Sequence, residues 1–193
     1  MAGAPPDAGD AAGPDAPDAS DGDDDDQTAD GAVGVDGGPL VSNGGFEVPG
    51  EVGCGPAWSG LSASLTRVGS GRSGMYACRV CQNGTTIGQF GIFQSISLDV
   101  GTYALQAWAR DAQDGGGTPP DGGVALSLIY ALPDGGRRAM TTTAALTPMY
   151  MPVQVGATAI PPDAAPYSVK MTSRYAADVG DCFVVDDFVL VAE

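Results

Sequence analysis

Trp108, with Gln106 and Arg110, is the grouping in this chain best suited to binding chemistry. Side chains alternate between the two faces of a strand. In Tyr103-Ala104-Leu105-Gln106-Ala107-Trp108-Ala109-Arg110, that rule puts Tyr103, Leu105, Ala107 and Ala109 on one face. Gln106, Trp108 and Arg110 fall on the other. The first set reads as core. The second offers a ring that can stack on the C–H face of a sugar, beside planar polar groups for its hydroxyls. The competing reading is a tryptophan packed beneath a loop. Ser127 and Ile129, on a neighbouring candidate strand, are expected to extend the same face, and Tyr150 and Gln154 are further candidates.

Glu47, Asp186 and Asp187 form a second candidate site, for calcium. The ion takes about 6–8 oxygen ligands from carboxylates and backbone carbonyls. Glu47 follows a glycine-rich stretch with accessible carbonyls. Adjacent strand residues point to opposite faces, so only one of Asp186 and Asp187 should meet Glu47. The same alternation argues against a catalytic pair, since a glycosidase needs both carboxyls in one cleft. Asp114-Gly115-Gly116-Gly117 and Asp121-Gly122-Gly123 lack the Lys and Ser/Thr of a phosphate loop and read as turns.

The four cysteines are Cys54, Cys78, Cys81 and Cys182. An even count suits two disulfides in an oxidising compartment better than a zinc site, which favours two close pairs. Cys78 and Cys81 are three apart on a strand and face opposite ways, so each should pair with Cys54 or Cys182. Two connectivities remain. Cys78–Cys182 with Cys54–Cys81 is preferred, because Cys78 shares a face with Tyr76 and Val80.

The chain has 193 residues, a formal net charge of −16 and no histidine. Lack of histidine removes imidazole-dependent catalysis. Net negative charge without a basic run disfavours nucleic acid and anionic lipid. No stretch is long and apolar enough to span a membrane, and no signal peptide is visible where Met1 runs into Ala-Gly-Ala-Pro-Pro. Residues 1–38 carry eleven of the 24 acids and none of the eight bases. This Asp/Ala/Gly/Pro segment cannot offset its ordering entropy by burial and is expected to be a disordered tether or solubilising tail.

From residue 39 onward, short apolar runs alternate with Gly, Pro and Asp. Strands are predicted at Leu40–Glu47, Ser62–Val68, Met75–Val80, Phe90–Leu98, Thr102–Arg110, Val124–Ala131, Arg138–Ala144, Met149–Val155, Tyr167–Thr172 and Cys182–Val191. No helical pattern appears. The expected fold is all-β: a two-sheet antiparallel β-sandwich, or jelly roll, over residues 39–193.

Asn43-Gly44-Gly45-Phe46-Glu47, then Trp58, Gly71 to Val80, Gly101 to Arg110, and Phe183 to Leu190 follow one another in an order that resembles the jelly-roll carbohydrate-binding modules of families 4, 9, 16 and 22. The resemblance covers residues 39–193. It implies a glycan-binding sheet face, no catalysis, and a structural calcium that favours Asp187. The tail resembles spacers of bacterial surface lipoproteins, which implies an extracellular or cell-surface location. A monomer with a polysaccharide partner is expected. The alternative is a structural or adhesion domain with a protein partner, and a hydrolase is a more distant third.

Overall fold

The computed structural model describes residues 40–50, 53–84, 87–113, 117–165 and 167–193. The acidic segment 1–38 lies outside them. Ten strands form: β1 (Ser59–Leu61), β2 (Ala63–Val68), β3 (Ala77–Gln82), β4 (Gly91–Ile96), β5 (Gly101–Asp111), β6 (Val124–Ala131), β7 (Arg137–Ala144), β8 (Met151–Ile160), β9 (Tyr167–Ser173) and β10 (Cys182–Ala192). They make two five-stranded sheets. Sheet I has the order β1-β4-β9-β6-β7 and sheet II the order β2-β3-β10-β5-β8. Every pairing between neighbouring strands is antiparallel. No α-helix occurs among the described residues.

The core fills the space between the sheets. Leu126, Leu128, Val169 and Met171 from sheet I meet Leu105, Ala107, Phe183, Val185 and Leu190 from sheet II. Alternation in β5 is as expected: Tyr103, Leu105, Ala107 and Ala109 are buried in this core. Three rings close one end. Trp58 lies 4.5 Å from Phe188 and 5.3 Å from Phe46, centroid to centroid. Burying such rings is among the larger apolar contributions to stability.

Two strand predictions needed changing. Leu40–Glu47 is a turn-rich loop, not a strand. Asn43 and Phe46 take positive φ values of 51° and 58°. The Asn43 side chain holds the loop, donating to the carbonyls of Val48 and Cys54 and accepting from the Val48 amide. Asparagine tolerates this conformation because its amide bonds the nearby backbone. Gln94 pins the loop's start by donating to the Ser42 carbonyl and accepting from its amide, both at 2.8 Å. The second change is at the start of the expected Ser62–Val68 strand, which forms as β2 (Ala63–Val68), while an unpredicted strand β1 (Ser59–Leu61) precedes it across Ser62, with φ 46°. The chain thereby crosses from sheet I to sheet II.

The cysteines pair as Cys54–Cys78 and Cys81–Cys182, not in the preferred connectivity. Opposite facing of Cys78 and Cys81 is correct. What decides the pairing is the register of β10. Cys182 stands directly opposite Cys81, on the outer side of sheet II, while Cys78 stands opposite Val185 and faces the core. Buried Cys54 meets Cys78 there, with 5.4 Å between Cα atoms.

Cys54 and Cys78 are 24 residues apart in sequence. Opening that loop by Cys54→Ala with Cys78→Ala should lower stability by about 3 kcal/mol, measured by urea unfolding. Non-reducing peptide mapping should recover 54–78 and 81–182 linked peptides. A 54–81 linkage would contradict this register.

Candidate functional site

The outer face of sheet II carries the grouping around Trp108. In β5 Gln106, Trp108 and Arg110 all point away from the core, as alternation requires. In register across the sheet, Arg79, Val184 and Arg110 form one row. Asp186, Trp108 and Pro152 form the next. Gln106 pairs with Gln154 and Val189 two residues along. Gln106, Gln154, Gly156 and Val191 border a shallow hollow of about 240 Å³.

Trp108 and Arg110 already have partners within the protein, whereas Gln106 and Gln154 make no side-chain hydrogen bond among the described residues. The Arg72 guanidinium lies 4.0 Å over the half-buried Trp108 ring, a cation–π contact that occupies one indole face. Arg110 is buried and donates to the Ser70 hydroxyl at 2.8 Å and to the Asp111 carbonyl at 2.9 Å. The Tyr150 hydroxyl donates to the Ser70 carbonyl at 2.8 Å, and Arg110 sits 5.2 Å over its ring. Burial pushes the Tyr150 phenol up to about 12, against the pull of Arg110. On sheet II, Arg72, Ser70 and Asp111 thus engage Trp108, Arg110 and Tyr150.

The acids that the sequence set apart do not face opposite ways. A bulge shifts the β5–β10 register between Asp186 and Val189, with Asp187 at φ 49°. Both carboxylates now reach Arg72. Its backbone amide donates to Asp186 Oδ2 and its Nε to Asp187 Oδ2, each at 2.6 Å. Ser73 Oγ donates to Asp187 Oδ1 at 2.6 Å. The alternation argument against a catalytic pair thus fails here. Asp186 and Asp187 are buried, at only 0% and 3% exposed.

Glu47 completes the cluster, with Oε1 accepting from the Tyr76 amide at 2.9 Å. Gly45 lies between Glu47 and Asp187. A Cβ there would stand 3.5 Å from Asp187 Oδ1 and 4.0 Å from Glu47 Cγ. Among the described residues no three acidic, Cys or His side chains are spaced as a ready metal cage. Glu47 and Asp187 are oxygen donors of the type a hard cation takes, and here Asp187 accepts from Arg72 and Ser73 while the Phe46 and Glu47 carbonyls accept from Arg67. Of the three carboxylates, Asp187 meets the Arg72 guanidinium, Asp186 the Arg72 backbone amide and Glu47 the Tyr76 backbone amide. Burial, then the charges of Asp187 and Glu47, push the Asp186 carboxyl up to about 7, against two backbone hydrogen bonds that lower it.

The outer face of sheet I is different. Ser59, Phe93, Lys170, Ser127 and Thr141 form one row across all five strands. Ser95, Ser168, Ile129 and Ala139 form the next row. Ala131 and Arg137 stand beyond it. A cleft of about 220 Å³ opens here, bordered by Phe93, Ser95, Ile129, Ser168 and Arg137. Ser127 and Ile129 therefore do not extend the Trp108 face; they lie on the opposite side of the sandwich. β6 is not a neighbour of β5, because the chain changes sheets between them. The Ser127 hydroxyl is bonded to Thr141 at 2.8 Å.

Sequence reasoning missed Phe93, Ser95, Ser168, Lys170 and Arg137. The signal was present in Tyr167-Ser168-Val169-Lys170-Met171, where polar and apolar residues alternate around the chain's single lysine.

The chain has the jelly-roll β-sandwich fold of carbohydrate-binding modules. It is similar to a family 61 carbohydrate-binding module in complex with β-1,4-galactotriose, at 17% identity and a TM-score of 0.53, covering 80% of this chain and 98% of that one. It is likewise similar to the C-terminal family 22 module of Clostridium thermocellum Xyn10B, at 19% identity and TM-score 0.55, over 79% and 96% of the two chains. The xylan-binding CBM22-1 domain of Paenibacillus barcinonensis Xyn10C gives 12% identity and TM-score 0.57, over 76% and 89%. Some similar chains are larger, such as an α-L-arabinofuranosidase of which 26% is covered. No family model matches the sequence, and no curated protein matches it.

The raised Asp186 carboxyl sets a pH dependence. An unfolded Asp titrates near 3.8, and the folded one near 7. Between these values the folded state holds a proton that the unfolded state has released. Stability from this group is therefore greatest below about pH 4 and is lost as pH rises toward 7. In chelator-containing buffer, the melting temperature of Asp186→Asn should vary less between pH 4 and 7 than that of the parent. Equal slopes would show that Asp186 titrates normally.

Proposed function

We propose that this domain is a non-catalytic glycan-binding module that works outside the cell, with its ligand on the outer face of sheet I. One observation carries the choice of face. The cleft sets the Phe93 ring and Ile129 beside the Ser95 and Ser168 hydroxyls, and neither hydroxyl has a hydrogen-bond partner among the described residues. A sugar offers the complement, with C–H faces for the ring and hydroxyls for the serines. On sheet II the corresponding groups are engaged by Arg72 and Ser70.

Similar structures support a polysaccharide ligand, since they include a galactotriose complex and a xylan-binding domain. Non-catalysis is supported by the lack of any Asp or Glu in the five strands of sheet I. A glycosidase needs two carboxyls across the bound sugar. Two disulfides support an oxidising, extracellular setting. The acidic segment 1–38, outside the described residues, then serves as a spacer, a role its like charges and prolines suit. Binding through one ring and a few hydroxyls is weak per site, and the domain acts as a monomer.

A second reading keeps the ligand at Trp108, Gln106, Arg110, Tyr150 and Gln154. It is favoured by the hollow beside Gln106 and Gln154 and requires Arg72 to leave the indole. Titration calorimetry with β-1,4-galactan and xylan separates the two. Phe93→Ala should weaken binding about tenfold or more, and Trp108→Ala by less than about twofold. The reverse pattern would move the ligand to sheet II. Failure of both polysaccharides to bind, with binding to a protein partner instead, would favour the adhesion alternative.

Calcium is also proposed, held by Glu47 and Asp187 and serving only to neutralise and rigidify the loop. With a dissociation constant of about 0.1 mM, 10 mM calcium should add about 2.7 kcal/mol, or roughly 5–10 °C in melting temperature. Glu47→Gln should abolish that rise. No shift in the parent protein would remove the calcium proposal.

A further inference from the structure

We propose that the cleft on sheet I selects an anionic polysaccharide, one bearing carboxylate or sulfate groups. This rests on the glycan reading above. The warrant is the charge pattern of that sheet. The chain carries 24 acids and eight bases. The strands of sheet I contain none of those acids, yet they hold Lys170, Arg137 and Arg138. Sheet II strands, by comparison, hold Asp111, Asp186 and Asp187 alongside Arg67, Arg79 and Arg110. In a strongly acidic protein, the cleft is a local region free of strand-borne negative charge.

The two cations flank the cleft. Lys170 lies in the Phe93 row, on β9 at the middle of the sheet. The Ser95–Ser168–Ile129 row comes next, and Arg137 follows it on the edge strand. Successive rows are about 7 Å apart and neighbouring strands about 4.8 Å apart. The Cα atoms of Lys170 and Arg137 are therefore on the order of 16 Å apart, with two long side chains between which several sugar units can lie.

Neither cation is used by the fold. Among the described residues, Lys170 and Arg137 make no side-chain hydrogen bond and no ion pair, and the ion pair that does form is Arg72 with Asp187. Lys170 is half-buried in the centre of a sheet. An ammonium on that face with no partner in the protein can take a carboxylate or sulfate of the ligand through a charge-assisted hydrogen bond. The net charge of −16 opposes polyanions at long range. With a Debye length of about 8 Å at physiological salt, Arg137 in the cleft lining and Lys170 beside Phe93 dominate once contact is made.

The test uses the full chain in titration calorimetry against four polymers: polygalacturonate, the same backbone fully methyl-esterified, neutral β-1,4-galactan, and dextran sulfate. Polygalacturonate, dextran sulfate or both should bind at least about tenfold more tightly than the methyl ester and the galactan. Preference between the two charged polymers identifies the anion. Lys170→Gln should remove that preference, and Lys170→Arg should retain most of it. Circular dichroism and the melting temperature confirm that the variants fold. Methyl ester or galactan binding as tightly as polygalacturonate and dextran sulfate would overturn the anionic preference and leave the glycan reading intact. A charged-polymer preference unchanged by Lys170→Gln would overturn the assignment to this cleft. No binding to any of the four polymers would overturn both.

Discussion

The bulge in β10 is the constraint on which the rest of the domain depends. Before it, Phe183 and Val185 point into the core; after it, Phe188 and Leu190 do. Odd positions give way to even ones because an extra residue has been inserted. Without the insertion, Phe188 would leave its place against Phe46 and Trp58. The same insertion turns Asp187 toward Arg72 and Ser73. The Phe188 amide then donates to the Gly44 carbonyl at 3.1 Å, and a Cβ on Gly44 would lie 2.1 Å from the Phe188 carbonyl oxygen. Only glycine permits that approach. One irregularity thus locks the opening loop, the Arg72 loop and the last strand together.

That arrangement explains why the two outer faces differ. Sheet II contains β10 at its centre, so the charges gathered by the bulge fall on or beside its outer face. Arg72 reaches Asp187 and Trp108 together, and Arg110 and Tyr150 converge on Ser70. These groups satisfy one another, as buried polar groups must. Sheet I has no such centre. Its outer face carries hydroxyls, a phenyl ring and isolated cations that the fold does not consume. A surface that the protein has not satisfied internally is the one better suited to an external polar ligand.

Strand alternation made much of the structure legible beforehand. It identified which side chains of β5 are core, placed nine of the strand regions, and separated Cys78 from Cys81. These inferences need only local geometry and a water-excluding interior. Strand prediction failed at Leu40–Glu47, where Asn43 and Phe46 adopt positive φ in a glycine-rich loop. An apolar run with Gly44 and Gly45 inside it resembles a strand until its long-range partner, Phe188, is known.

The sequence by itself determined an all-β sandwich, a chemistry without histidine and the concentration of acids in residues 1–38, because composition and a period of two are local properties. Only the tertiary structure decided which cysteines meet, that Asp186 and Asp187 share one partner, and that Ser127 and Trp108 belong to opposite faces. Each of these depends on strand register or sheet membership. Register is set by how distant segments fit against one another, and one inserted residue reverses the facing of all that follows.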